Sequence, residues 1–479
     1  MTVVALGLPA REDRVAQLTE CVRRDLTYLN YPVNREWTLP RKIGDRTAFD
    51  VLIVGGGQSG LVAAFALGQE RVSNVLIVDR NAAGQEGPWN TYARMPNLRT
   101  PKDVTGPDLG IPSLTPRAWY EARFGPDAWA GLATFPRVAW HQYLAWYRDT
   151  LGLKVQNHTV VERIAPHGDV LAACIAGPAG RNTLYARKIV LATGLEGSSS
   201  WRIPEIVSAN LAKSKFAHAG DDIDFVALRG RRVAVLGAGA SAFDNAGAAL
   251  DAGAQTVDLF VRRPALSNVN PLYWMTFSGV LAYFHDLPDL HRWRFGRHLE
   301  IAGTPPPPTS VARCKRFAQF TIRLGEPWTG VLDGPEDFTV ETPNRRDRFD
   351  FVICATGASQ SLELRSELSD VSDQVALWRD RFVAPLGEES ETLGGYPYLG
   401  PAFEFTEREP GAAPWLRNIH NFSFSAVASM GNVGGAPSLR FAIPRLVGGI
   451  VRDLFVGDAE AYLEDFRNFR TPESEQVHW

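Results

Sequence analysis

Two glycine-rich hexapeptides are the parts of this chain best suited to chemistry. Residues 55–60 read Gly-Gly-Gly-Gln-Ser-Gly, and residues 237–242 read Gly-Ala-Gly-Ala-Ser-Ala. Both fit G-x-G-x-x-[GA], in which the glycines permit a tight turn, close approach of a pyrophosphate and close helix packing. Free N–H groups at the start of the next helix then bind the phosphates. The candidate cofactor-binding residues of the two motifs are Gly55, Gly57, Gln58, Ser59, Gly60, Gly237, Gly239, Ala240, Ser241 and Ala242.

The surrounding elements must place these motifs at strand ends. Apolar runs at residues 51–54 and 233–236 lead into the two glycine turns and predict buried strands. Helical patterns follow the motifs, and further strands are predicted at residues 75–78 and 257–261. Each motif therefore lies in a strand–helix–strand unit, and the pair predicts two bound dinucleotides and redox chemistry.

The residues after the second strand of each unit predict which dinucleotide binds there. Asp79 stands where an acid hydrogen-bonds a free ribose hydroxyl, which favours FAD at the first motif. Arg262 and Arg263 stand at the matching place in the second unit, where guanidinium groups suit the 2′-phosphate of NADPH. The alternative for these arginines is a pair of solvated side chains at a strand end.

The domain organisation follows from two Ala-Thr-Gly strand endings, at residues 192–194 and 355–357, because the second unit lies between them. We predict an α/β fold: a Rossmann-type FAD-binding domain (48–205 and 341–479) interrupted by an inserted Rossmann-type NADPH-binding domain (206–340). Residues 1–47 are predicted to be a helical extension, with an amphipathic helix at 11–30. Gly194, in the first of these endings, is a further candidate cofactor residue.

Composition excludes several classes of function. The formal charge is −3 with no basic stripe, which argues against nucleic acid as a partner. No run of 18 apolar residues predicts a membrane span, and residues 1–9 lack the positive region of a signal peptide. The four cysteines are too far apart for a redox pair, and the histidines of residues 285–298 do not form a metal set. We expect a cytoplasmic protein without a metal, and the oligomeric state stays open.

Several motifs together resemble the class B flavin monooxygenases. They are the first fingerprint, the Glu-Gly-Pro-Trp stretch at 86–89, the segment Leu-Arg-Thr-Pro-Lys at 98–102, both Ala-Thr-Gly endings and the inserted second fingerprint. The resemblance implies that Arg80 and Trp89 also bind FAD and that Val160 packs near its adenine. It implies that NADPH reduces FAD, that a flavin C4a-(hydro)peroxide forms with O2, and that a small organic substrate is oxygenated.

The linker motif of that family is degenerate here. Of F-x-G-x-x-x-H only the histidine, His218, is present, which favours oxygenation at N or S over Baeyer–Villiger insertion. His218 is interpreted as a hydrogen-bonding linker residue, with a catalytic role as the alternative. Two other functions stay open: an NADPH:acceptor flavin reductase without oxygen transfer, and a non-catalytic nucleotide-binding redox sensor.

Two further features bear on the active site. Aromatic residues are dense in segments 112–147 and 266–300, where they could line a substrate pocket or pack between domains. The glycine-rich turn at 432–438 precedes a C-terminal helix predicted to begin near Ser438. By the architecture of two-dinucleotide flavoproteins, this helix start, with Gly434, is expected at the flavin pyrimidine edge.

Overall fold

A computed structural model describes residues 11–31, 36–103, 106–198, 200–431 and 433–471. Two of the sequence features, the apolar start at residues 1–9 and Asn432 in the glycine-rich turn, lie outside the described residues. The described part is an α/β structure with two main sheets, each built around parallel strands.

The strands up to residue 191 are β1 (Lys42–Ile43), β2 (Arg46–Thr47), β3 (Phe49–Val54), β4 (Val75–Val78), β5 (Asn97–Pro101), β6 (Thr134–Pro136), β7 (Val155–Gln156), β8 (Val160–His167), β9 (Val170–Gly177) and β10 (Gly180–Leu191). The later strands are β11 (Ser200–Trp201), β12 (Phe216–His218), β13 (Arg232–Leu236), β14 (Thr256–Val261), β15 (Phe320–Leu324), β16 (Gly330–Asp333), β17 (Phe338–Glu341), β18 (Arg346–Phe349), β19 (Phe351–Cys354), β20 (Ala358–Ser359) and β21 (Ile419–His420).

The α-helices are α1 (Arg11–Tyr28), α2 (Gln58–Gln69), α3 (Pro116–Phe124), α4 (Arg137–Thr150), α5 (Glu205–Ser208), α6 (Ala240–Asp251), α7 (Pro271–Trp274), α8 (Ser278–Tyr283), α9 (Asp289–Ala302), α10 (Pro308–Lys315), α11 (Trp378–Arg381), α12 (Glu391–Gly394), α13 (Val427–Met430), α14 (Ala436–Gly457) and α15 (Ala459–Asn468). Short 3-10 turns connect several of them.

The first lobe, residues 11–198 and 360–471, is built on the sheet β7-β4-β3-β10-β9-β8. Strands β7, β4, β3 and β10 are parallel, β21 adds to β10 in parallel, and β9 and β8 continue the sheet as an antiparallel hairpin. Val51, Leu52 and Ile53 of β3 are fully buried, as expected for a parallel sheet covered on both faces. The helices α2 and α14 pack against each other in this lobe.

The second lobe, residues 202–357, is built on the all-parallel sheet β12-β19-β13-β14-β15. A three-stranded antiparallel sheet, β16-β17-β18, leads into β19. The predicted boundary between residues 340 and 341 therefore falls inside this lobe rather than at its end. The sequence pattern of residues 349–357 predicts the strand β19. It does not reveal that β19 pairs with β12 and β13 of the second lobe.

Two chain crossings join the lobes. The strands β11 and β20, two residues each, pair in antiparallel fashion and form the only covalent connection described between the lobes. The inserted organisation follows directly, because the chain leaves the first lobe through β11 and returns through β20. Short crossings of this kind leave the relative position of the lobes to side-chain contacts.

The aromatic segment 112–147 is part of the first-lobe core, which corrects the expectation of a substrate pocket or of packing between domains. Trp119, Trp129, Trp140, Tyr143 and Tyr147 are all buried in the same apolar cluster as β3 and α2. The segment 266–300 is mixed, since Trp293 and Phe284 are buried whereas Tyr273, Trp274, Phe277 and Tyr283 are exposed. None of the described helices is both long enough and apolar enough to cross a membrane.

Candidate functional site

The first glycine loop joins the end of β3 to the start of α2. Gly55 has a φ of +113°, and a Cβ there would lie 2.4 Å from the carbonyl oxygen of Ala192. A Cβ at Gly60 would lie 1.9 Å from the carbonyl oxygen of Gly55. At Gly57 the nearest atom to a Cβ is the Cα of Gly87, 3.7 Å away. Protein packing therefore requires the first and third glycines, whereas the second leaves the space that an approaching pyrophosphate needs.

The start of α2 offers backbone donors to that space. Gly57 is the N-cap residue and no side chain caps the helix, so the first N–H groups are available to a phosphate. The Gln58 side chain instead connects neighbouring elements: its Nε2 donates to the carbonyl oxygen of Gly434 at 2.8 Å, and Trp140 Nε1 donates to its Oε1 at 3.2 Å. The start of α14, which begins at Ala436, therefore lies beside the first loop.

Asp79 closes the first loop from the end of β4. Its carboxylate accepts hydrogen bonds from the backbone N–H of Gly56 at 2.7 Å and of Asn81 at 2.8 Å. Burial raises the pKa of Asp79, and these two hydrogen bonds oppose the shift. The N–H of Thr159 donates to the Asp79 carbonyl oxygen, which brings the neighbouring Val160, 42% exposed, to the same edge.

Arg80, which follows Asp79, reaches the Ala-Thr-Gly turn that contains Gly194. Arg80 forms an ion pair with Glu196, which follows that turn. Gly194 has a φ of +64°, and its carbonyl oxygen accepts a hydrogen bond from the N–H of Phe424 at 3.4 Å. The turn adjoins the first loop, because a Cβ at Gly55 would lie against the carbonyl oxygen of Ala192.

Glu86 is a central residue that the sequence analysis placed only within a motif. Its carboxylate accepts hydrogen bonds from the Gly84 N–H at 2.8 Å, from Asn157 Nδ2 at 2.8 Å and from Arg148 Nη1 at 3.1 Å. Arg148 and Asn157 are distant from Glu86 along the chain, so local sequence carried no signal for these two partners. A small cavity of about 20 Å³ lies here, lined by Gly56, Gly57, Gln58, Leu61, Gly84, Glu86, His141, Leu144, Ala145 and Arg148.

Trp89 supplies an unmatched donor close to the first loop. Its indole packs edge-to-face on Trp140 with ring centroids 6.3 Å apart. Its Nε1 is buried and has no hydrogen-bond partner within the described part of the chain. A Cβ at Gly87 would contact both the Trp89 ring and the Cα of Gly57. An unpaired buried N–H beside a phosphate-binding loop fits the presence of an acceptor on a bound dinucleotide.

The second glycine loop repeats this geometry between β13 and α6. Gly237 has a φ of +148°, and a Cβ there would lie 2.4 Å from the carbonyl oxygen of Ala355. Gly239 is the N-cap residue of α6, again without a side-chain cap, and the nearest atom to a Cβ is the Thr304 oxygen at 4.0 Å. Ala240 and Ala242 are buried and Ser241 is exposed. This loop too leaves room for a pyrophosphate at its second glycine.

Arg262 and Arg263 follow the end of β14 and are exposed. Neither side chain has an ion-pair or hydrogen-bond partner in the described ranges. Arg263 Nη1 would lie 3.1 Å from a Cβ at Gly303, so the guanidinium lies against the loop after α9. Two uncompensated cations at this position suit a bound anion.

His218 is the last residue of β12, in the second-lobe sheet, and lies beside β11, one of the two strands that connect the lobes. It is 3% exposed, stacks on Trp201 with ring centroids 4.7 Å apart, and its Nδ1 accepts a hydrogen bond from the Gly220 N–H at 3.0 Å. Burial lowers the pKa of His218, so the imidazole is neutral at pH 7. These contacts support the interpretation of His218 as a hydrogen-bonding linker residue.

The four cysteines are free thiols. Burial raises the pKa of Cys314 and of Cys354 to about 12 in each case, so both stay protonated. Disulfide exchange, which requires a thiolate beside a second sulfur, has no basis in these residues.

Two fingerprint loops on two Rossmann sheets define a flavoprotein with two dinucleotide-binding domains. Comparison with known proteins agrees. The family model described as pyridine nucleotide-disulphide oxidoreductase matches residues 52–278. The FAD-dependent urate hydroxylase of Xanthomonas campestris pv. campestris is 42% identical over 460 residues, covering 95% of this chain and 96% of that protein.

Solved structures share the fold. The ornithine hydroxylase PvdA of Pseudomonas aeruginosa matches with a TM-score of 0.65 and 17% identity, covering 85% of this chain and 100% of that one. The ornithine N-hydroxylase KtzI of Kutzneria sp. 744, solved with reduced FAD, NADP+ and L-ornithine, matches with a TM-score of 0.64 and 17% identity, covering 86% of this chain and 100% of that one.

The chain belongs to the class B flavin-dependent monooxygenases. The predictions of family, fold class and enzyme are confirmed, and the predicted cofactors, FAD and an NADP nucleotide, are those of the family.

Proposed function

We propose that this protein is an FAD monooxygenase that uses NADPH and O2 to hydroxylate urate. The observation that carries the proposal is the 42% identity with an FAD-dependent urate hydroxylase over nearly the full length of both chains. The reaction balances: one oxygen atom enters the substrate, the other leaves as water, and NADPH supplies two electrons. Bound FAD supplies the chemistry that passes these electrons to O2.

The first loop is the proposed FAD site. The α2 N-terminus would hold the pyrophosphate through backbone N–H groups, with the indole N–H of Trp89 as a further donor. Asp79 would bind a ribose hydroxyl while its bond to Gly56 keeps the loop closed, and Val160 would cover the adenine. Gln58 holds the start of α14, with Gly434, at the loop, and Gly194 and Arg80 border it from the Ala-Thr-Gly turn.

The second loop is the proposed NADPH site. Gly237, Gly239, Ala240, Ser241 and Ala242 form the turn and the first helical residues that would hold its pyrophosphate. Arg262 and Arg263 would bind the 2′-phosphate, because they are exposed cations with no competing carboxylate. Their position after β14 matches that of Asp79 after β4, which is the basis for different nucleotides at the two sites.

The substrate proposal differs in chemistry from the sequence-based preference for N or S, since urate is hydroxylated on a purine ring. Ornithine hydroxylases share only the fold with this chain, at 17% identity. The relative of higher identity therefore favours urate, and oxygenation of an amine or a thioether is the competing outcome of the test.

The test is product analysis with labelled oxygen. Purified holoenzyme is incubated with NADPH, ¹⁸O2 and urate, and parallel reactions contain ornithine or a thioether. We expect urate loss matched by NADPH oxidation, with one labelled oxygen atom in the product. NADPH oxidation that yields only hydrogen peroxide with every substrate would instead identify a flavin reductase. An absence of NADPH oxidation with FAD bound would identify a non-catalytic nucleotide-binding protein.

A further inference from the structure

The buried carboxylate of Asp244 links the two lobes directly. Asp244 lies on α6, one turn after the glycine loop that starts this helix, and is 2% exposed. Its Oδ2 accepts a hydrogen bond from Arg99 Nη2 at 3.1 Å, and its Oδ1 accepts one from Ser310 Oγ at 2.6 Å. Arg99 belongs to β5 in the first lobe, whereas Asp244 and Ser310 belong to the second. The ion pair therefore crosses the boundary between the proposed cofactor sites.

A second contact reinforces the same crossing. Arg313 on α10 donates from Nη1 to the carbonyl oxygen of Arg94 in the first lobe at 3.1 Å. The same guanidinium is held by Asp251 at the end of α6, with distances of 2.6 and 2.8 Å. It passes over α6 at Gly247, where a Cβ would lie 2.8 Å from Arg313 Cδ. The absence of a side chain at residue 247 is what lets Arg313 reach the first lobe.

The bridging segment, residues 89–101, connects this contact to the first glycine loop. Its strand β5 pairs with β6, and Arg137, the first residue of α4, donates from Nε to the Met95 carbonyl oxygen at 3.0 Å. Trp140 on the same helix donates to Gln58 in the first loop. A continuous series of packed and hydrogen-bonded groups therefore runs from α6 through Asp244 and Arg99 to α2.

We propose that Asp244 is a positioning residue that holds the second nucleotide loop in register with the first through Arg99. Only β11 and β20 connect the lobes covalently, so contacts of this kind must set the distance between the bound nucleotides. The rate of hydride transfer falls steeply as that distance grows, because reacting atoms must come within about 3–3.5 Å of each other. This inference rests on the proposed use of NADPH as reductant.

The test compares Asp244→Asn and Arg99→Met with the wild-type holoenzyme. Both variants remove the charge pair between Arg99 and Asp244. Arg99→Met changes a side chain that is 44% exposed and keeps Asp244, so the buried hydrogen bond from Ser310 to Asp244 stays in place. We expect normal FAD content and an NADP+ Kd within about twofold, but flavin bleaching by saturating NADPH about tenfold to a hundredfold slower. The double variant should be no slower than Asp244→Asn alone, since both changes break the same pair.

The matched control is Glu341→Gln, which removes an ion pair with Arg346 between β17 and β18, inside the second lobe. It should bleach at the wild-type rate. Wild-type rates in both variants would overturn the proposal, as would a loss confined to NADP+ affinity, which a merely structural role would produce.

Amide hydrogen exchange gives a readout that does not depend on the reductant. Exchange in the bridging segment and in α6 should rise in Asp244→Asn, and unchanged protection there would also overturn the proposal. If wild-type enzyme is not bleached by NADPH while exchange still rises in the variant, the proposed reductant fails and the link between the lobes stands.

Discussion

The two glycine loops share a backbone and differ in what surrounds it. In each, the first glycine has a positive φ and lies against an Ala-Thr-Gly turn, and the second faces free space at an uncapped helix start. In the first unit the second strand is followed by Asp79, which is buried and hydrogen-bonded back to the loop. In the second unit the second strand is followed by Arg262 and Arg263, which are exposed and unpaired among the described residues. The proposed function therefore assigns pyrophosphate binding to the shared backbone, and nucleotide choice to one or two residues beyond it.

The largest expected effect comes from blocking the second glycine of either loop. A side chain at Gly57 has room in the protein but occupies the pyrophosphate space, so Gly57→Val should fold and be colourless. The matched variant Gly239→Val should stay yellow and lose reduction by NADPH. In both variants, flavin absorbance per chain measures the FAD content, and anaerobic bleaching measures reduction by NADPH. Full flavin occupancy in Gly57→Val would show that residues 55–60 are not the FAD loop.

The next largest difference between the two loops is expected at the third glycine position of the motif, which is Gly60 in the first loop and Ala242 in the second. Gly60→Ala forces a Cβ to within 1.9 Å of the Gly55 oxygen, so the loop must shift, at a cost on the order of 3 kcal/mol. Ala242 already carries a Cβ, and Ala242→Gly should cost about 1 kcal/mol through helix propensity. Urea unfolding of both variants measures the difference. Equal losses of the free energy of unfolding in the two variants would contradict the close packing assigned to Gly60.

Nucleotide preference should respond to the arginines. Each charge-assisted bond contributes about 1.5–3 kcal/mol, so Arg262→Ala should lower kcat/KM for NADPH roughly tenfold to a hundredfold and leave NADH nearly unchanged. Arg263→Ala is the parallel variant, and Arg316→Ala, on a guanidinium at the end of α10, serves as the charge control. Equal losses with both nucleotides would mean that the arginine is structural.

The sequence predicts most of what is local in this comparison. Both loops, their strands, Asp79 and the arginine pair are adjacent along the chain, so periodicity and spacing suffice to place them. The contacts of Glu86 with Arg148 and Asn157, of Gln58 with Gly434, and of Asp244 with Arg99 join distant residues. No local pattern encodes such pairs. The aromatic segment 112–147 packs into the first-lobe core and not into a substrate pocket, and the sequence does not predict this, because ring density does not show which core receives the rings.

An effect of similar size is expected from acid, and it resides in the first lobe. Burial lowers the pKa of His420, in β21, from 6.5 to about 3. The unfolded chain binds this proton below pH 6.5, so stability is present above that pH and is lost as the pH falls towards the folded value. From pH 7 to pH 5 the loss from this residue is about 2 kcal/mol.

The free energy of unfolding at these two pH values measures the effect. His420→Asn should be less stable at pH 7 and show a smaller difference between the two pH values. His167→Asn, at the exposed end of β8, is the control and should keep the wild-type difference. If His420→Asn kept the wild-type difference in the free energy of unfolding between the two pH values, the assignment of the acid sensitivity to His420 would be contradicted.

The most direct measurement is a crystal structure of the holoenzyme soaked with NADP+. We expect the FAD pyrophosphate at the start of α2, with its ribose at Asp79, and the NADP+ pyrophosphate at the start of α6. We expect the 2′-phosphate within hydrogen-bond distance of Arg262 or Arg263. FAD at the second loop, or NADP+ bound with its 2′-phosphate away from both arginines, would contradict the claim that one backbone serves two nucleotides through the residues that follow it.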